Sequence, residues 1–146
     1  MPAQRGFTLL ELLVVIAIAG LMTGLAVASL DSVKAPMQQA LERLAAAARA
    51  QAGLALHSGQ VRGLRWNGQR PEFVQQVEGG QWRVDPVALG DWPAGLRADW
   101  PASPAPRVIF TPSGLAAPAL LNWRWAEGAQ RWQWQREAGL HISVVP

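Results

Sequence analysis

One carboxylate, Glu11, stands inside the apolar run FTLLELLVVIAIAG at residues 7–20. At mid-helix in a bilayer such a group costs roughly 2.5–3.5 kcal/mol on insertion scales. The chemistry open to it is electrostatic. In the first turn of a helix it answers the dipole, and it can pair with a cation one turn away, because groups at i and i+4 are neighbours. The plainer alternative is an interfacial Glu that the segment merely tolerates. Elsewhere the reactive residues do not combine. The chain has no cysteine, which excludes disulfides and thiolate metal sites. His57 and His141 lie far apart in sequence. Ser113 sits in Thr-Pro-Ser-Gly, not in a G-x-S-x-G elbow. Glu72, Glu78 and Asp85 lack the spacing of a calcium loop. The expectation is a protein that is not an enzyme and that uses no cofactor or metal.

Glu11 must be positioned by its helix. Phe7 to Leu30 contains no other charge. As a helix this stretch is about 36 Å long at about 1.5 Å per residue, enough to cross a hydrocarbon core of about 30 Å. Arg5 and the N-terminal amine precede it and Asp31 follows it, so the positive flank favours an N-terminus in the cytoplasm. A plain membrane anchor fits these facts. So does a cleaved secretory signal ending at Ala26-Val27-Ala28, although the apolar run exceeds the usual 7–15 residues of such a signal and Glu11 interrupts it.

A third reading comes from a family resemblance. Arg5-Gly6-Phe7-Thr8-Leu9-Leu10-Glu11 resembles the processing site of type IV pilins and type II secretion pseudopilins. The resemblance implies cleavage of the leader 1–6 by a prepilin peptidase between Gly6 and Phe7, N-methylation of Phe7, and Glu11 as the fifth mature residue. Glu11 would then neutralise the new amine of Phe7, or that of an adjacent subunit, and so set the axial register of a filament. An ion pair in low dielectric is expensive to break. Gly20 and Gly24 add a small-xxx-small element for helix packing.

A second helical stretch is expected over 31–59. Val33, Met37, Leu41, Leu44, Ala48 and Ala55 form one stripe, with Gln38, Gln39, Glu42, Arg43, Arg49 and Gln51 on other faces. Pro36 should end or bend the first helix, and Gly59 is a natural stop. From residue 60 the pattern shifts to period two. Strands are expected near Leu64–Trp66, Glu72–Val77, Trp82–Val84, Arg107–Thr111, Ala119–Trp125, Arg131–Gln135 and Leu140–Val145. Asn67-Gly68 reads as a hairpin turn and Ala126 to Gln130 as another loop. Residues 85–106, with five of the 11 prolines, read as an irregular connection holding one short strand near Leu96–Trp100. The fold class is α+β: a long N-terminal helix, half transmembrane and half amphipathic, packed on a small antiparallel two-sheet β domain. The organisation is leader 1–6, transmembrane helix 7–30, amphipathic helix 31–59 and periplasmic β domain 60–146.

Two features of the body bear on function. In NWRWAEGAQRWQWQ the tryptophans alternate with polar residues, as in a half-buried hairpin with cross-strand aromatic pairs. A ligand-stacking platform and an apolar contact for a neighbouring subunit are the alternatives. The formal net charge is only +3, and all but Lys34 of the 13 basic residues are Arg. Arg124, Arg131 and Arg136 near this hairpin are the candidates for a DNA contact, but scattered Arg among Gln and Glu make a nucleic-acid partner an unexpected one. Ile109-Phe110-Thr111-Pro112-Ser113-Gly114 and the closing Gly139-Leu140-His141-Ile142 resemble the H-type minor pseudopilins of type II secretion. That implies a structural subunit near the tip of a periplasmic pseudopilus that helps to initiate assembly and to export folded proteins. Its partners would be other minor pseudopilins, the major pseudopilin, the prepilin peptidase and the inner-membrane secretion platform. The protein would cross the bacterial inner membrane once, with its body in the periplasm. The alternative is a type IV minor pilin that takes part in DNA uptake.

Overall fold

The computed structural model describes residues 6–114, 117–136 and 139–146, with the side chains of 25–34 outside the description. The leader residues Met1 to Arg5 thus fall outside it. Among the described residues one long helix, α1 (Leu9–Ser58), is followed by eight strands. The chain divides into two compact units, Met1–Pro36 and Met37–Pro146.

In the first unit the helix begins at Thr8. The Glu11 amide donates to the Thr8 carbonyl (3.0 Å) and lies 3.3 Å from its hydroxyl, and the Leu12 amide also reaches the Thr8 carbonyl (3.2 Å). Thr8 is therefore the N-cap, and it satisfies amides that the first turn leaves open. The apolar side chains from Phe7 to Met22 are exposed all round, from 49% for Val14 to 82% for Phe7. Among the described residues no helix is long and apolar enough to cross a membrane. The described apolar stretch Leu9 to Gly24 measures about 24 Å, short of the roughly 20 residues a span requires. Its continuation to Leu30 lies among the side chains outside the description. Pro36 stands inside α1 and does not end it.

In the second unit α1 supplies one wall of the core. Ala40, Leu41, Leu44, Ala45, Ala48 and Ala55 are buried and Met37 is half-buried. The small Ala side chains let the backbone come close to the sheets. Gln51, expected on a polar face, is instead 4% exposed. Its position between Ala48 and Ala55, three and four residues away, places it on the core stripe. The helix stops where Gly59 adopts φ +69° and its amide returns to the Ala55 carbonyl at 3.1 Å, the left-handed C-terminal turn that glycine permits.

Both sheets are four-stranded and antiparallel. The first contains β1 (Arg62–Trp66), β2 (Pro71–Gln76), β3 (Trp82–Asp85) and β5 (Val108–Phe110) in the order β3-β2-β1-β5. The second contains β4 (Arg97–Ala98), β6 (Ala119–Trp125), β7 (Gly128–Gln135) and β8 (Gly139–Val145) in the order β4-β6-β7-β8. The inward faces and α1 enclose one core. Trp123 lies at its centre, with the rings of Trp66, Trp92, Trp100 and Trp132 at 4.9–6.1 Å, all tilted or edge-to-face. Trp123 and Trp132 are completely buried, so these two are packing and not a platform.

Two turns differ from the expectation. The strands β1 and β2 close at the pair Trp66–Pro71, so the loop has four residues. Asn67 Oδ1 accepts from the amides of Gln69 (2.8 Å) and Arg70 (2.9 Å), and this side-chain capping replaces a tight Asn-Gly turn. The strands β6 and β7 pair down to Trp125–Gly128, leaving only Ala126 and Glu127 in the turn. A Cβ on Gly128 would lie 2.9 Å from the Trp125 ring, so the glycine is what lets the strand start there.

Candidate functional site

The N-terminal constellation sits on the first turn of α1. Gly6 is exposed and a Cβ there would meet nothing within 4 Å. Phe7 is exposed and precedes the cap. Thr8 fixes where the helix starts, and that places Glu11 three residues past the cap, in the first turn. Thr-x-x-Glu is the residue pattern of a capping box. The sequence therefore carries a second signal around Glu11, and Thr8 is a cap residue that the apolar run alone does not reveal. At this position the carboxylate faces the positive end of the helix dipole. Phe7 and Glu11 are one turn apart, within the reach of i,i+4 pairing.

The arginines of the C-terminal hairpin are placed differently. Arg124 on β6 and Arg131 on β7 are both exposed, on the outer face of the second sheet. Arg124 is engaged by Asp99 (Nη2 to Oδ2, 3.0 Å), and Arg131 Nε donates to Asn122 Oδ1 at 3.3 Å. Arg136 is exposed in the turn after β7 and lines a different recess, with Arg49 and Trp134. The three do not form one cluster. Among the described residues no group of His, Asp and Glu could hold a metal ion.

A polar network inside the second unit was not legible beforehand. Arg62 Nη1 donates to Asp85 Oδ2 (2.6 Å) and to Gln51 Oε1 (2.9 Å), and Gln51 Nε2 reaches the same Asp85 oxygen at 3.2 Å. It ties α1 to β1 and β3. On the other face of the first sheet Arg65 pairs with Glu72 at 2.8 Å and Asn67 donates to Glu72 at 2.8 Å. Partial burial raises the Glu72 carboxyl. Hydrogen bonds from Asn67 and Arg65, with the charges of Arg65 and Arg70, outweigh that effect and hold it below its ordinary value of 4.5.

Residues 1–27 match the prokaryotic N-terminal methylation motif. The first 27 residues of the chain thus carry this motif. Gly6, Phe7 and Glu11 all fall within the matched stretch. Among solved structures, the minor pseudopilin EpsH from the Type 2 Secretion System of Vibrio cholerae is similar, with a TM-score of 0.52 and 21% identity. The match covers 71% of this chain and 91% of that one. At this identity the likeness is one of fold: a pilin-like helix on two small antiparallel sheets. A search of curated proteins gives no match.

Proposed function

We propose that this chain is a minor pseudopilin of a type II secretion system, a structural subunit near the tip of a periplasmic pseudopilus that helps to initiate its assembly and to export folded proteins. One observation carries the reading: a prepilin methylation motif over residues 1–27 and a body with the fold of a minor pseudopilin occur in one chain. The helix exposed on every side from Phe7 to Met22 supports it. Such a surface is covered only by lipid or by neighbouring helices, the two surroundings a pilin subunit meets before and after assembly.

In this reading residues 1–6 are the leader, 7–30 cross the inner membrane, 31–59 form the amphipathic helix and 60–146 the periplasmic domain. The prepilin peptidase cuts between Gly6 and Phe7, and Phe7 is methylated. Glu11 pairs with a Phe7 amine, in its own chain before assembly and in an adjacent subunit afterwards. The partners are other minor pseudopilins, the major pseudopilin and the inner-membrane secretion platform. The deciding experiment is the intact mass and N-terminal sequence of the chain coexpressed with a prepilin peptidase, followed by deletion of its gene and an assay of secretion. A start at methylated Phe7 and a secretion defect support the proposal. A start at Ser29 reassigns the segment to a secretory signal.

The exposed face shared by Arg124 and Arg131 favours a second reading, a type IV minor pilin in DNA uptake. Asp99 already answers Arg124 there. A DNA mobility shift that weakens steeply with salt supports this reading, and no shift at low salt removes it.

A further inference from the structure

A cavity of about 460 Å³ opens between the β1–β2 turn and the loop before β4, lined by Trp66, Arg70, Asp91, Trp92 and Arg97 among others. Its walls are held from behind. Asn67 clasps the turn through the Gln69 and Arg70 amides. Arg43 of α1 donates to the carbonyls of Leu89 (3.0 Å) and Asp91 (3.2 Å). The Trp92 indole donates to the Leu96 carbonyl (3.0 Å) and meets Trp66 edge to face at 6.5 Å. These groups are used up in shaping the cavity.

The two guanidinium groups at its rim are not. Glu72, the acid whose charge acts on Arg70, has one oxygen on Arg65 and the other on Asn67. Among the described residues the side chain of Arg97 makes no hydrogen bond or ion pair. The register sets Arg97 opposite Arg124, whose own charge is met by Asp99. Asp91 is the single acid in the lining, against two arginines. The cavity is thus a preformed, partly aromatic recess with excess positive charge and unused planar donors.

We infer that this cavity docks an acidic segment of a partner polypeptide, its carboxylate pairing with Arg70 and Arg97 and an adjoining apolar side chain lying against Trp92. Guanidinium forks match carboxylates in geometry, and Arg and Trp dominate binding energy where they meet in a desolvated recess. The volume falls within the roughly 300–1,000 Å³ of ligand pockets. The inference goes beyond the filament role and does not depend on it.

The test uses the full chain in detergent micelles with 15N-labelled indoles, titrated with acetyl-Glu-Leu-amide, acetyl-Gln-Leu-amide and inorganic phosphate. Saturable movement of the Trp92 indole resonance with the Glu peptide is expected, with about tenfold weaker binding of the Gln peptide. Arg70→Gln and Arg97→Gln should each weaken the Glu peptide about fivefold or more, while the remaining indole resonances stay in place and report an intact fold. No movement at millimolar Glu peptide overturns the inference, and so does an equal response to the Gln peptide. Phosphate binding as tight as the peptide also overturns it, because the cavity would then hold any anion.

Discussion

At the scale of single residues, the N-terminal turn combines two duties in positions three residues apart. Thr8 starts the helix and Glu11 supplies the charge. Glu11→Ala should leave membrane insertion intact and abolish incorporation into filaments, as read by cell fractionation and cross-linking. Normal assembly of that variant would remove the register role. Gly6→Val should block leader removal and leave a longer, unmethylated chain, visible by mass. Nothing lies within 4 Å of a Cβ at Gly6, so such a block would report recognition by the peptidase and not a steric clash in the fold. Glu72 carries a pH prediction. Its folded pKa is depressed below 4.5. Its contribution is therefore complete above the unfolded value and disappears as pH falls through the folded one. Glu72→Gln should reduce stability at neutral pH and flatten the acid limb of a denaturation profile below about pH 4.5; an unchanged limb would refute the assignment. Glu11 was legible because a lone acid in an apolar run is conspicuous. Gln51 was not, because its polarity outweighed its spacing. Only the partners Arg62 and Asp85, 11 and 34 residues away, make its burial tolerable.

At the scale of elements, period-two alternation located the strands, while the turns depended on contacts that spacing does not encode. Asn67-Gly68 signalled a turn, but the Asn side chain capped a longer loop. Gly128 read as loop because nothing local shows that Trp125 folds over it. Gly63 is a similar case on β1. A Cβ there would lie 2.5 Å from the Pro106 side chain and 2.9 Å from the Val108 carbonyl, because Pro106 leads into β5, the strand paired with β1 at that point. Gly63→Val should cost about 1–3 kcal/mol or more by overpacking, measured by denaturant unfolding. A change below about 0.5 kcal/mol would show that the connection moves aside freely. Residues 85–106 were hard to read because their order comes from long-range ties such as Arg43 to Leu89, which leave no periodicity.

At the scale of the whole molecule, the division at Pro36 separates an exposed apolar helix from a unit with its own core. A chain beginning at Met37 should be soluble and unfold in one cooperative transition by circular dichroism. A broad, non-cooperative transition would show that the core needs the preceding residues. The two-sheet body was foreseeable from the number and spacing of strands. The pairing order was not, since β5 pairs directly with β1 although β2, β3 and β4 come between them in the chain, and period-two patterning carries no information on neighbours. Within the body, Trp123 and the four rings around it lie close enough for their electronic transitions to couple. All eight tryptophans belong to the second unit, and none precedes Trp66. Tryptophan absorption and emission from the intact chain thus come from the body alone. The molecule contains its own optical label: its tryptophan spectrum tracks unfolding of the body and stays silent about the N-terminal helix.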